Sequence, residues 1–133
     1  MEENEKLALI LEALDQKKAI DVVTLDVSRQ TQMMDLLVIC TGTSNIHIRA
    51  LADGVIETMK EHGYKGVRAE GYNEARWVLL DYGDEVLHIF GADDREFYRL
   101  EEFWHGAPRI DLPTVADLAE EELAAVGVGS ARG

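Results

Sequence analysis

Two periodicities alternate along the chain, and the places where one gives way to the other mark its elements. Over residues 6–18, Leu7, Ile10, Leu11 and Leu14 recur at i, i+3, i+4 and i+7, the stripe of an amphipathic helix. In "AIDVVTLDV" the period drops to two. Val23, Leu25 and Val27 alternate with Val22, Thr24 and Asp26, which predicts a strand. A polar turn, "SRQTQ", leads to "DLLVICTG", a continuous apolar run ending at Gly42 that suits a central strand covered on both faces. "TSN" then supplies a helix start, with Ser44 or Asn45 as N-cap. That helix carries Ile48, Leu51, Ala52, Val55, Ile56 and Met59 along one stripe to about His62, and Gly63 stops it.

"GVRAEG" reads as a short strand, placed near an edge by its charges. "WVLLDYGDEVLHIF", Trp77 to Phe90, reads as a hairpin whose tight turn is Gly83-Asp84, with Gly83 at φ > 0. That register sets Leu80 opposite Leu87 and Val78 opposite Ile89, a purely aliphatic core face. The other face pairs Leu79 with His88 and Trp77 with Phe90, with Asp81 near the turn. "DDREFYRLEEFWH" reads as one acid-started helix that closes the core with Phe97, Leu100 and Trp104. The strand–helix–strand unit over 35–71 predicts two parallel strands joined by a right-handed crossover. Residues 1–106 are therefore expected to form a single α/β domain, a mixed five-stranded sheet with flanking helices. Residues 107–133, with Pro108, Pro113, "VADLAEEELAAV" and "GVGSARG", read as an acidic C-terminal tail holding one short helix and partly disordered.

Composition narrows the function. At 133 residues and 47% hydrophobic, the chain is the size of one domain and can bury a core. No apolar run approaches the roughly 18 residues of a membrane span, so no membrane partner is expected. The start, "MEENEKLALILEALDQKK", is acidic before it is apolar, whereas a secretory signal begins basic. Cys40 is the lone cysteine, which excludes an internal disulfide and a zinc cluster built from cysteines. These features point to the cytoplasm. Thirteen basic residues against 26 acidic ones give a formal charge of −13. A chain this acidic repels phosphates, so direct nucleic-acid binding is disfavoured and a basic protein partner is favoured.

Candidate chemistry is thin. Metal-dependent nucleotidyl transfer needs acids that converge on the ions, typically Asp-x-Asp on one strand face, and the chain has none. Asp81 and Asp84 lie three apart across a turn, and nothing brings their side chains together. "CTGTSNIHIRALAD" is a strand, a glycine turn and a helix start, but neither phosphate-loop signature is present, and it reads first as a capped crossover. His47, His62, His88 and His105 show no ligand spacing, and Cys40 sits in an apolar strand where its thiol stays protonated. No catalytic, cofactor-binding or metal residue is assigned. What stands out is a sheet face carrying Trp, His and Asp together: either a helix covers it incompletely, or a partner does.

"DVVTLDVS", "DLLVICTGTSNIHIRALAD", "EGYNEARWVLLDYGDEVLHIF" and "FYRLEEFWHGA", in this order, resemble the ribosomal silencing factor family, also called Iojap-like, over about residues 5–106. The resemblance implies a nucleotidyltransferase-like fold without its catalytic acids, and hence no enzyme. It implies binding to the large ribosomal subunit through ribosomal protein uL14, where the bound factor keeps the small subunit from joining and represses translation under nutrient limitation. A large-subunit assembly role would use the same surface, and a nucleotide-binding transferase is the remaining alternative. A homodimer is implied for the free protein. Glu70, Trp77, Asp81, Gly83, Asp84 and His88 match the family's signature, while Tyr82 stands where other members often differ. Together these seven residues are the expected docking surface, with Trp77 as apolar anchor and the acids facing a basic partner. A stable interface buries about 800 Å² per partner, more than one hairpin face supplies, so Tyr98 and Trp104 of the last helix are added as candidates.

Overall fold

A computed structural model describes the chain from residue 2 to residue 110, with side chains from residue 5. The short acidic helix expected in the tail lies outside the described residues. The elements are α1 (Glu2–Gln16), β1 (Ile20–Asp26), β2 (Leu36–Gly42), α2 (Asn45–Glu61), β3 (Arg68–Glu70), β4 (Trp77–Asp81), β5 (Glu85–Gly91), α3 (Ala92–Tyr98) and α4 (Leu100–Phe103). The five strands form one mixed sheet in the order β1-β2-β5-β4-β3, as the α/β reading predicts.

The apolar run at 36–42 takes the position its composition asks for. All seven residues of β2 are buried, between β1 on one side and β5 on the other. β2 and β5 run parallel, Leu36 beside Glu85 through Gly42 beside Gly91, and the other pairings are antiparallel. β3 points the same way as β2, as a strand–helix–strand unit requires, yet it is not β2's neighbour. The α2 connection carries the chain to the far edge of the sheet, and the hairpin then brings β5 back to fill the gap beside β2.

The hairpin has the predicted register, Trp77 opposite Phe90, Val78 opposite Ile89, Leu79 opposite His88 and Leu80 opposite Leu87. The three residues between its strands, Tyr82, Gly83 and Asp84, include Gly83 at φ +91, which glycine adopts without cost. The Asp81 carboxylate accepts from the Gly83 amide at 2.8 Å, and the Tyr82 amide donates to the Glu85 carbonyl at 2.9 Å.

Alternation then sorts the side chains onto two faces. One face gives Leu36, Val38, Cys40, Val78, Leu80, Leu87 and Ile89 to a core closed by Leu7, Ile10 and Leu14 of α1 and Ile48, Leu51, Val55 and Met59 of α2. Glu85 is fully buried on this side, and Lys6 of α1 meets it with its ammonium at 2.9 Å. The opposite face carries Leu25, Leu37, Ile39, Val86 and Phe90, and among the described residues its cover is much lighter: Leu100, Trp104 and Ala107.

The last helix differs from expectation. Arg99 takes a left-handed conformation, φ 48 and ψ 52, and divides the segment into α3 and the single turn α4. Ion pairs flank the break. Arg99 reaches Glu96 and Glu102 at 3.2 Å, and Arg95 in α3 reaches Glu101 in α4 at 2.8 Å. With the helical phase lost at Arg99, Phe97 no longer shares a stripe with Leu100 and Trp104. It is 77% exposed instead of closing the core. Beyond α4 the chain runs along the outer edge of β1, where the Asp26 amide donates to the Pro108 carbonyl and the Ile110 amide to the Thr24 carbonyl. Residues 107–110, expected at the start of a peripheral tail, thus cover β1.

Candidate interaction surface

The lightly covered face is where most of the candidate residues meet. Trp77 opens β4 beside Phe90 and stands half-buried, its indole 4.8 Å from the Phe90 ring and 4.6 Å from the Tyr98 ring between centroids. Its Nε1–H donates to His88 Nδ1 at 2.9 Å. His88 is buried at the next cross-strand position, and burial pushes its imidazole down to about 4. An acceptor at Nδ1 requires the neutral ring with its proton on Nε2, and the lowered value keeps that form at neutral pH. His88 therefore stands behind Trp77 and fixes the indole from below. Phe97 extends the aromatic row by an edge-on contact with Tyr98, centroids 5.0 Å apart.

The acids are arranged around this row. Glu70 is exposed on β3, paired with Arg68 at 2.9 Å, and Arg68 also reaches Asp81 at 3.2 Å. Asp81 is engaged twice, by Arg68 and by the Gly83 amide, so its carboxylate both shapes the turn and lines the surface. Gly83 and Asp84 form the exposed tip, and the Asp84 carbonyl accepts from the amides of Asp35 and Leu36, which seats the tip against the start of β2.

Tyr82 goes elsewhere. Alternation turns it to the helix-covered face, where it packs on the main core with its hydroxyl buried and pushed up to about 12 by that burial. It does not share a face with Trp77. Trp104 lies half-buried against the cluster that includes Leu25 and Phe90 and makes an edge contact at 5.2 Å with Phe103, which is 77% exposed. Phe97 and Phe103 join the candidates on exposure alone. The sequence hid Phe97 because its spacing from Leu100 imitates a core stripe until Arg99 breaks the helix.

A second concavity lies at the C-terminal ends of β2 and β5, about 1370 Å³ in volume and broadly open. Adjacent parallel strands whose following helices leave to opposite faces create such a crevice, where α/β folds commonly bind ligands. Here α2 leaves to the covered face and α3 to the other. The crevice is bridged by the protein's own groups. Arg95 donates to the Asp21 carbonyl at 2.7 Å and the Thr41 hydroxyl at 2.8 Å, and Arg76 grips Asp94 with two hydrogen bonds. Among the described residues, no group of three His, Cys, Asp or Glu could hold a metal ion. No helix there is long and apolar enough to cross a membrane. Cys40 is buried, and its thiol is pushed up to about 12 by desolvation, far from a thiolate nucleophile.

The family model described as "Ribosomal silencing factor during starvation" matches residues 1–128. The chain belongs to the ribosomal silencing factor family. A curated ribosomal silencing factor from Halalkalibacterium halodurans is 40% identical over 115 residues, covering 86% of this chain and 98% of that protein. A crystal structure of a Chromobacterium violaceum protein superposes with a TM-score of 0.77 at 35% identity, covering 86% of this chain and 94% of that one. A mouse protein named "Mitochondrial assembly of ribosomal large subunit protein 1" is 28% identical over 99 residues, 72% of this chain and 43% of that protein. One relative is named for ribosomal silencing and another for assembly of the ribosomal large subunit, and the Chromobacterium violaceum structure shares the fold described above.

Proposed function

We propose that this chain docks on the large ribosomal subunit through ribosomal protein uL14, using the open face of the sheet, and blocks joining of the small subunit by occupying its place. The observation that carries the proposal is Trp77: a tryptophan half-exposed on a sheet face, held in one orientation by His88 and continued by Tyr98 and Phe97. Rigid aromatic anchors of this kind dominate binding energy at interfaces, and acids around them favour a basic partner over ribosomal RNA. Glu70, Asp81, Asp84 and the Gly83 tip form the acidic rim, with Phe103 and Trp104 as outlying apolar contacts. His88 contributes by orienting Trp77, and Tyr82 by packing the hairpin onto the core. The action is steric, in the cytoplasm, and involves no catalysis or cofactor.

The name of the mouse relative favours a second reading, assembly of the large subunit through the same surface. Co-sedimentation with purified large subunits, followed by addition of small subunits, separates the two. Binding with fewer joined ribosomes is the outcome expected for silencing. Binding with undiminished joining would transfer the role to assembly, and no binding would remove both.

A further inference from the structure

The loop between β3 and β4, residues 71–76, is built far more rigidly than a surface connection requires. Gly71 sits at φ +83, and a Cβ added there would lie 2.1 Å from the Trp77 carbonyl oxygen. Ala75 sits at φ 54 and is fully buried, whereas Lys18, Asp21 and Arg99, the other non-glycine residues at positive φ among those described, are all exposed. A buried alanine persists in that region only where its surroundings over-determine it, and such positions cluster at functional sites.

Three side chains do the determining. Arg49 of α2 donates from Nε to the Tyr72 carbonyl at 3.3 Å and from its terminal nitrogen to the Asn73 carbonyl. Asp53, one helical turn further on, accepts from the Tyr72 hydroxyl at 3.0 Å. At the other end Arg76 grips Asp94 of α3, while its carbonyl accepts from the Gly91 amide at 3.1 Å. The loop closes on itself where the Ala75 amide donates to the Gly71 carbonyl at 2.9 Å. Trp77 is the next residue after Arg76, and its carbonyl is the atom that Gly71 nearly touches.

We propose that Arg49 is a positioning residue for the docking surface: from α2, on the covered side of the sheet, it fixes the 71–76 loop and through it the backbone from which Trp77 projects. This inference rests on the docking role of Trp77 proposed above. A planar guanidinium can hold two neighbouring carbonyls at once, whereas a lysine ammonium is a single point on a flexible stem. Arg49 has no place in the aromatic row itself, so any effect it has on docking must pass through the loop.

The test uses the full chain with Arg49→Ala, Arg49→Lys and Trp77→Ala, each titrated against purified large ribosomal subunits and melted in parallel. Trp77 emission and its quenching by acrylamide are read in a Trp104→Phe background. If removal of Arg49 leaves Trp77 correctly placed in about one molecule in ten, the apparent Kd rises about tenfold. The expected result is that weakening for Arg49→Ala, with Trp77 emission shifted and more readily quenched, and a smaller change in both for Arg49→Lys. Parental affinity and unchanged emission in Arg49→Ala, with binding lost in Trp77→Ala, would overturn the inference while leaving the docking surface standing. Parental binding by Trp77→Ala would overturn the docking reading, and unchanged Trp77 emission in Arg49→Ala would still overturn the positioning role. Should Arg49→Ala fail to fold, Arg49→Lys carries the same comparison.

Discussion

On the covered face, Val38, Cys40, Val78, Leu80, Leu87 and Ile89 meet two helices of 15 and 17 residues, and every one of these side chains is removed from water. On the open face, the same strands send out Trp77, Leu79, Asp81, His88 and Phe90, and the cover among the described residues is an interrupted helix and a short strap. The backbone ladder is shared, so the contrast lies in what each face is packed to do. The covered face stabilises the domain through buried apolar area. The open face keeps an aromatic row partly wet, held by a hydrogen bond and by ring contacts instead of by full burial. A surface built in that way can exchange water for a partner without disturbing the core.

Substitutions on the two faces should therefore separate stability from docking. Leu87→Ala on the covered face removes a fully buried side chain and should cost about 2–5 kcal/mol in urea unfolding, enough to lower binding only through loss of folded protein. An open-face pH effect comes next. His88 binds its proton near 4 in the folded chain but near its ordinary value of 6.5 when unfolded, so between these values the unfolded state takes up more protons. The stability is fully present above pH 6.5 and is lost as pH falls through 4, at roughly 1.4 kcal/mol per unit and about 3 kcal/mol in all. Unfolding curves at pH 7, 5 and 4 should show His88→Gln losing this part of the dependence.

Gly71→Ala sharpens the contrast further, because it strains the backbone without removing any apolar area. The positive φ alone should cost about 1–3 kcal/mol, the Cβ 2.1 Å from the Trp77 carbonyl oxygen adds to it by displacing backbone, and subunit binding should weaken beyond what lost stability explains. The smallest effect belongs to Arg68→Ala. Its pairs with Glu70 and Asp81 are exposed, and such pairs contribute under about 1 kcal/mol, so the melting temperature should barely move. A large drop there would mean that the open face is held electrostatically.

Much of this was legible in the residues because it depends on period and turn chemistry. The hairpin register follows from alternation and from a glycine at the turn, and β2 announced its burial by an unbroken apolar run. Most of what escaped is settled by contacts distant in sequence. Arg99 is the exception: the apolar pattern runs straight through it, and the pairs around its left-handed turn, with Glu96 and Glu102 and between Arg95 and Glu101, are all local. The charges of β3 mark it as an edge strand, as it is, but its separation from β2 by β5 and β4 is not encoded by periodicity. His88 and Tyr82 both sat in the quoted hairpin, yet alternation sends Tyr82 to the other face, and only the packed structure shows His88 beneath Trp77. Nothing in the pattern singles out Arg49, because its carbonyl partners lie 23 and 24 residues away.

Trp77→Glu tests the central claim most directly. Circular dichroism and urea unfolding establish that the variant is folded, and co-sedimentation with purified large subunits measures docking. The account predicts a folded variant, destabilised by about 1–3 kcal/mol because His88 Nδ1 loses its donor, that no longer sediments with the subunit. A folded variant that binds as the parent does would contradict it and remove Trp77, and the open face with it, from the interface.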